Sequence, residues 1–151
     1  MYDKVIFVCT ENTCRSMMAD TLYKAKAGER ALPSASRGLV VLFPEPPNPK
    51  AMIALSNQGM VVENHVSTQL SKEELTSDTL VLTMNFSEKV KVIEDYQFEE
   101  NVYTMAEFAG EGDDLVSPHG GSQEDYDECL DTCAKLVDGV INKLLVQCEA
   151  D

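Results

Sequence analysis

Between Lys91 and Lys135 the chain has no lysine or arginine at all, while acidic residues accumulate from Glu94 to Asp131. The formal net charge of −14 over 151 residues is therefore unevenly placed. A surface of this sign repels the phosphates of nucleic acid and of anionic lipid, so neither is an expected partner. Its ordinary use is a solvated face that keeps a protein soluble, with attraction of a cationic partner the lesser use. No apolar run approaches the length of about 20 residues that a membrane helix needs. Nor does the start carry a basic region followed by an apolar signal segment. These absences lead us to expect a cytoplasmic protein with no membrane partner. The five cysteines are an odd number, which argues for a reducing compartment over a disulfide framework. No internal repeat or low-complexity segment appears. At 44% hydrophobic content the chain is long enough for one domain over 1–151 with a substantial core, and short for two.

What is present is organised around Val5-Ile6-Phe7-Val8-Cys9-Thr10-Glu11-Asn12-Thr13-Cys14-Arg15-Ser16. Four apolar, mostly β-branched residues read as a buried strand, and helical spacing begins after Arg15. Cys9 thus lies where strand becomes helix, the place where open α/β sheets hold ligands. A loop turning into a helix start aims backbone N–H groups and the positive end of the helix dipole at one spot, which favours an anion. Five residues separate Cys9 from Arg15, whose guanidinium fork fits phosphate oxygens in pairs. The same field is expected to lower the cysteine pKa. Thr10, Glu11, Asn12, Thr13 and Cys14 would line the substrate between them. Asn12 tolerates a left-handed turn, and Ser16 has a hydroxyl to offer a thiolate. Phosphoryl transfer through a phospho-cysteine is the chemistry this loop suggests. The plainer alternative is a structural cysteine ending a buried strand, with Arg15 solvated.

After the loop, Met17, Met18, Ala19, Leu22 and Ala25 recur at helical spacing, with Gly28 as a stop. Pro33 to Ser36 reads as a second strand closed by Gly38. The prolines of Phe43 to Pro49 exclude helix and central strand and predict a loop over the site. Asn48-Pro49 opens a helix carrying Ala51, Ile53, Ala54 and Leu55, ended by Gly59. Ser71-Lys72-Glu73-Glu74 has the serine and acidic residue of a capping box. Thr79 to Met84 reads as another core strand, Phe86 to Ile93 as helix, and Asn101 to Thr104 as a last short strand. Ser122 to Val146 forms a long helix burying Leu130, Cys133, Ala134, Val137, Val140, Ile141, Leu144 and Leu145. The alternation predicts a three-layer α/β/α fold, a parallel four-stranded sheet with helices on both faces.

The chain resembles the low-molecular-weight protein phosphatases nearly end to end. Cys9, Asn12, Cys14, Arg15 and Ser16 match the signature loop, and Ser36 and Gly38 match the Ser-x-Gly after the second strand. His65-Val66-Ser67 and the helix after Gly120-Gly121-Ser122 follow in the expected order. The resemblance implies a phospho-cysteine mechanism needing neither metal nor cofactor, acting on phosphorylated proteins. In it Cys9 attacks phosphorus, Arg15 and the loop amides bind the equatorial oxygens, and Ser16 stabilises the thiolate. Asn12, Ser36 and His65 would form the network that holds the loop; His65 is no base. The resemblance also implies a reversible Cys9–Cys14 disulfide. Cys129 and Cys133 read as core.

Three positions depart from the family. Glu11 replaces a glycine and puts a carboxylate near a phosphate site unless it points to solvent. Met17 replaces a proline. Ser117-Pro118 stands where the family has its general-acid aspartate, and serine has no proton of suitable pKa. Asp113, Asp114 and His119 are nearby substitutes, each expected to require a swing of the loop, or else ordinary exposed loop residues. Thr13 stands where tyrosine-directed members carry a bulky aliphatic residue, and Cys-Thr-x-Asn-Thr-Cys-Arg-Ser resembles the bacterial protein-arginine phosphatases. Threonine leaves room for a branched guanidinium, and His119 replaces an aromatic that would stack on a phenol, so phosphoarginine is preferred to phosphotyrosine. A degenerate module that binds phosphoprotein without turnover is the alternative, given Ser117 and Glu11. An arsenate reductase needs further cysteines mid-chain, and none lies between Cys14 and Cys129.

Overall fold

The computed structural model describes residues 1–150, with backbone alone for Glu149 and Ala150. Strand β1, Lys4–Cys9, is buried from Val5 onward and lies inside a four-stranded sheet of order β2-β1-β3-β4. Its neighbours are β2, Ser34–Gly38, and β3, Thr79–Thr83, with β4, Val102–Thr104, at the edge. All three pairings are parallel, and the register sets Cys9 opposite Gly38 and Val8 opposite Thr83. A parallel strand buried on both faces reads as an unbroken apolar run, which is why Val5 to Val8 shows no alternation. The alternation is instead between two cores. Val5, Phe7 and Cys9 face one cluster; Ile6 and Val8 face the other.

The first face carries helices α1, Arg15–Ala27; α2, Pro49–Asn57; α4, Met105–Ala109; and α5, Gln123–Ala150. Their buried residues Met18, Leu22, Leu55, Phe108, Leu130 and Val137 share the cluster with Val5 and Phe7. The second face is covered by α3, Phe86–Tyr96, whose Val92 packs with Leu70, Phe98 and Val102. The three-layer α/β/α architecture expected from the sequence is present. β1 connects to β2 on one side, and the chain then crosses to β3 on the other. The crevice at that reversal opens at the carboxyl end of β1, where Cys9 sits.

Local signals fared unevenly. Gly28 stops α1 with φ +57°, its N–H bonded to Lys24 O, and Asn48 caps α2 through its side chain, ahead of Pro49. The Ser71 capping box exists, but it starts a single 3-10 turn, Lys72–Glu74. Helix α4 was not anticipated, although Thr104 and Glu107 form a capping box at its start and Gly110 a left-handed stop at its end. Ala25 and Ile53 fall on solvent-facing sides of α1 and α2, Tyr23 taking the buried position on α1. On α5, Leu136 is buried, whereas Leu144 and Leu145 are only half-buried because the helix runs beyond the sheet it packs on.

Candidate active site

Residues 9–16 form a tight loop between β1 and α1, and what shapes it is Asn12. This residue is fully buried at φ +62°, a conformation that asparagine tolerates better than other non-glycine residues. Its carboxamide oxygen accepts from Thr68 N at 2.9 Å, which leaves Nδ2 to donate to Ser16 Oγ at 2.8 Å. Its carbonyl takes 2.7 Å from His65 Nε2, so that nitrogen carries the proton. Ser16 Oγ, which accepts from Asn12, lies 2.9 Å from Cys9 Sγ in a hydrogen bond that either partner can donate. The Asn12 N–H also reaches Cys9 Sγ, at 3.3 Å. When the sulfur is charged, both Ser16 and Asn12 can donate to it. Gly38 packs under the loop: a Cβ there would lie 3.0 Å from Thr10 O and 3.1 Å from the Asn12 Cβ.

The expected supporting network is therefore present for Asn12 and His65 but not for Ser36. Ser36 is buried next to the loop, yet among the described residues its hydroxyl bonds neither Asn12 nor His65. The Thr68 N–H takes that place. His65 supports the loop from behind and does not line the cavity over Cys9.

Burial raises the Cys9 thiol above its ordinary pKa, outweighing the Ser16 hydrogen bond and the Arg15 charge, both of which lower it. The expectation of an acidified thiol is thus not met. Cys9 is 3% exposed, and its charged form loses more by desolvation than the Ser16 hydrogen bonds and the Arg15 charge return. Cys14 lines the same cavity as Cys9, and the neighbouring Cys129 thiol, together with burial, pushes its own thiol well up. Cys129 and Cys133 are buried as expected. Cys129 is nonetheless more than core filling, because it meets the thiol of the loop.

Arg15 is only 7% exposed. Its Nη2 donates to Glu88 Oε2 at 2.8 Å and its Nη1 to Leu115 O at 3.0 Å. Glu88 is 2% exposed, and the sequence reading missed it. The signal was available, since Asn85-Phe86-Ser87-Glu88 has the spacing of a capping box. Thr10, expected to face substrate, gives its hydroxyl to Glu88 Oε2 at 2.8 Å instead.

A cavity of about 290 Å³ opens above Cys9 and Arg15. Its walls include Thr10, Glu11, Thr13, Cys14, Asn48 and Tyr126, and its rim Ser117, Pro118 and His119. Asn12 does not line it, being turned to Ser16 and Thr68. Glu11 is exposed, the orientation in which its charge costs least beside a phosphate. The proline-rich segment contributes Asn48 to this cavity, while Leu42 and Phe43 stand exposed along a neighbouring groove. Tyr126, another residue the sequence reading passed over, is 3% exposed and accepts from Asn48 Nδ2 at 3.2 Å. It supplies an aromatic wall that the absence of one at His119 had seemed to remove.

Of the three substitutes for the missing acid, only His119 lines this cavity. Its backbone N–H donates to Ser117 Oγ at 3.3 Å. Asp114 is occupied elsewhere, accepting from Phe86 N at 3.0 Å. Asp113 is exposed and off the cavity wall.

A cysteine at a strand end, an arginine closing the loop into a helix, and the cavity they line make up the candidate active site. Residues 4–149 match the family model described as low molecular weight phosphotyrosine protein phosphatase. The protein-arginine-phosphatase of Bacillus subtilis is 35% identical over 138 residues, covering 88% of this chain and 91% of that one. The low molecular weight protein-tyrosine-phosphatase PtpB of Staphylococcus haemolyticus is 31% identical over 134 residues, covering 89% and 94%. Among solved structures, the YwlE arginine phosphatase from Geobacillus stearothermophilus superposes with a TM-score of 0.87 at 30% identity, covering 95% and 94%. This chain belongs to the low-molecular-weight phosphotyrosine protein phosphatase family. It is a cysteine-dependent protein phosphatase. No helix among the described residues is long and apolar enough to cross a membrane.

Proposed function

We propose that the protein removes phosphate from phosphoarginine in proteins, with phosphotyrosine the poorer substrate, and that it works in the cytoplasm, where its thiols stay reduced. The observation that carries the substrate choice is Thr13, a small branched wall residue in the cavity that also contains Cys9 and Arg15. A guanidino group is branched where a phenol is flat, and its planar face can stack on Tyr126. Two relatives described as arginine phosphatases, from Bacillus subtilis and Geobacillus stearothermophilus, support this reading.

In the proposed reaction the Cys9 sulfur attacks phosphorus while Arg15 and the loop amides hold the three equatorial oxygens. The S–P bond forms as the P–N bond breaks. The proton that burial keeps on Cys9 ends on the departing nitrogen, so a neutral guanidine leaves and phospho-cysteine remains. The Ser16 hydroxyl, held in place by Asn12, donates to the sulfur whenever it carries charge. Water then attacks phosphorus, the S–P bond breaks, and inorganic phosphate departs as the thiol is restored. Because it lines the cavity, His119 is our candidate for relaying the proton that the family's general-acid aspartate would carry.

Turnover measured side by side on phosphoarginine, phosphotyrosine and an activated aryl phosphate tests the proposal. A higher kcat/KM for phosphoarginine than for phosphotyrosine is expected; the reverse order would refute the substrate choice. Ser117 favours a second reading, a binder without turnover, which phosphate binding with no hydrolysis of any of the three would select.

A further inference from the structure

Glu88 has two carboxylate oxygens with two separate sets of partners. Oε1 accepts from Met84 N at 3.2 Å and Asn85 N at 3.1 Å, where β3 passes into α3. Oε2 accepts from Arg15 Nη2 and Thr10 Oγ1, each at 2.8 Å, inside the phosphate loop. A capping box needs only the first set. The second set has a cost, since a carboxylate and a guanidinium are both taken almost wholly out of water at 2% and 8% side-chain exposure. Four donated hydrogens offset that cost for Glu88.

We propose that Glu88 is a positioning residue of the phosphatase reaction: its Oε2 fixes the Arg15 fork and the Thr10 hydroxyl, and its charge tempers that of Arg15 toward the bound phosphoryl group. The inference rests on the phosphatase reading and adds to it a residue that touches no substrate. A guanidinium has five N–H donors in one plane. With one hydrogen on Nη2 given to Glu88 and one on Nη1 to Leu115 O, its rotation is fixed and the rest of the fork is left for the cavity. The Leu115 bond also ties the same arginine to the segment that leads into Ser117 and His119, so one side chain relates the phosphate loop to the rim. Electrostatically, Glu88 opposes Arg15. A full unbalanced cation beneath the cavity would hold product phosphate as firmly as it holds the transition state, which slows release. The Glu88 charge also acts on Cys9, raising its thiol against the pull of Arg15.

The test compares wild type with Glu88→Gln and Glu88→Asp. In Glu88→Gln we expect kcat to fall roughly 10- to 100-fold on phosphoarginine and on an activated aryl phosphate alike, because the misplacement is at phosphorus and not at the leaving group. Inorganic phosphate should inhibit severalfold more tightly, and alkylation of Cys9 by iodoacetamide should shift to lower pH. A role confined to starting α3 would lower the melting temperature and leave both the phosphate affinity and the alkylation profile in place. That pattern, in a variant that still folds, overturns the proposal. Glu88→Asp keeps the charge on an arm one methylene shorter. Its alkylation profile should stay at the wild-type position while kcat falls about tenfold or more. Wild-type kcat in Glu88→Asp would overturn the positioning role by itself, whether or not Glu88→Gln folds. Absence of turnover in the wild type would sink the phosphatase reading instead, and the phosphate-binding and alkylation arms would still decide on Glu88.

Discussion

The Asn12 carboxamide donates to the Ser16 hydroxyl at 2.8 Å, and that bond holds the serine 2.9 Å from the Cys9 sulfur. With Oδ1 held by Thr68 N, the amide has a single orientation, and Ser16 keeps a hydrogen to give to a charged Cys9. The same residue sits in a left-handed conformation and receives His65 at its carbonyl. Loop shape and sulfur solvation are therefore one construction.

Asn12→Ala should cost roughly 2 to 4 kcal/mol of stability, from a buried N–H and hydroxyl left without partners and from alanine in a left-handed turn. Denaturant unfolding measures it. A loss below about 0.5 kcal/mol, the scale of ordinary surface changes, would mean that Asn12 does not hold the loop in shape.

Cys9→Ser should abolish turnover and leave phosphate binding largely intact, since Arg15 and the loop amides remain while the sulfur nucleophile is gone. Calorimetric titration with inorganic phosphate beside an activity assay checks both halves. Retained hydrolysis would remove the phospho-cysteine step.

Thr13→Ile fills the cavity wall and should shift preference toward phosphotyrosine by about 1 to 3 kcal/mol in relative specificity. The ratio of kcat/KM values for the two substrates is the readout, and an unchanged ratio would mean that Thr13 does not discriminate.

Ser117→Asp should accelerate phosphotyrosine and phosphoarginine far more than an activated aryl phosphate, by up to about 10² to 10⁴, because only poor leaving groups need a proton. His119→Ala in the wild-type background should slow the same poor leaving groups selectively. Equal effects on all three substrates would assign both changes to binding or loop structure.

Stability should decline at alkaline pH beyond the ordinary thiol range. Cys9 and Cys133 both have thiols raised by the fold, each first through burial. A raised folded value means that the native state keeps protons the unfolded chain releases. The contribution is thus complete below the unfolded thiol pKa and is lost as pH rises through the folded values. Urea midpoints measured from neutral to alkaline pH follow this. Replacing Cys133 by alanine should flatten the decline, and an equally steep decline in that variant would place its origin elsewhere.

By itself the sequence determined the parallel α/β fold and the place of the site in it, because both rest on local chemistry. Val5 to Val8 can only be a strand buried on two faces, Asn12 suits a left-handed turn, and the Cys9 to Arg15 spacing is a property of one loop. What only the tertiary structure decided are relations between residues far apart in the chain. Glu88 lies 73 positions from Arg15 and meets it because β1 and β3 are neighbours in the sheet. Tyr126 enters the cavity wall from α5, and Thr68, not Ser36, completes the Asn12 network from a loop of no regular structure. The sign of the Cys9 shift belongs here too. Charge and hydrogen-bond donors near a thiol are legible from spacing, whereas desolvation depends on how completely the surrounding elements close over the sulfur, and here it outweighs them.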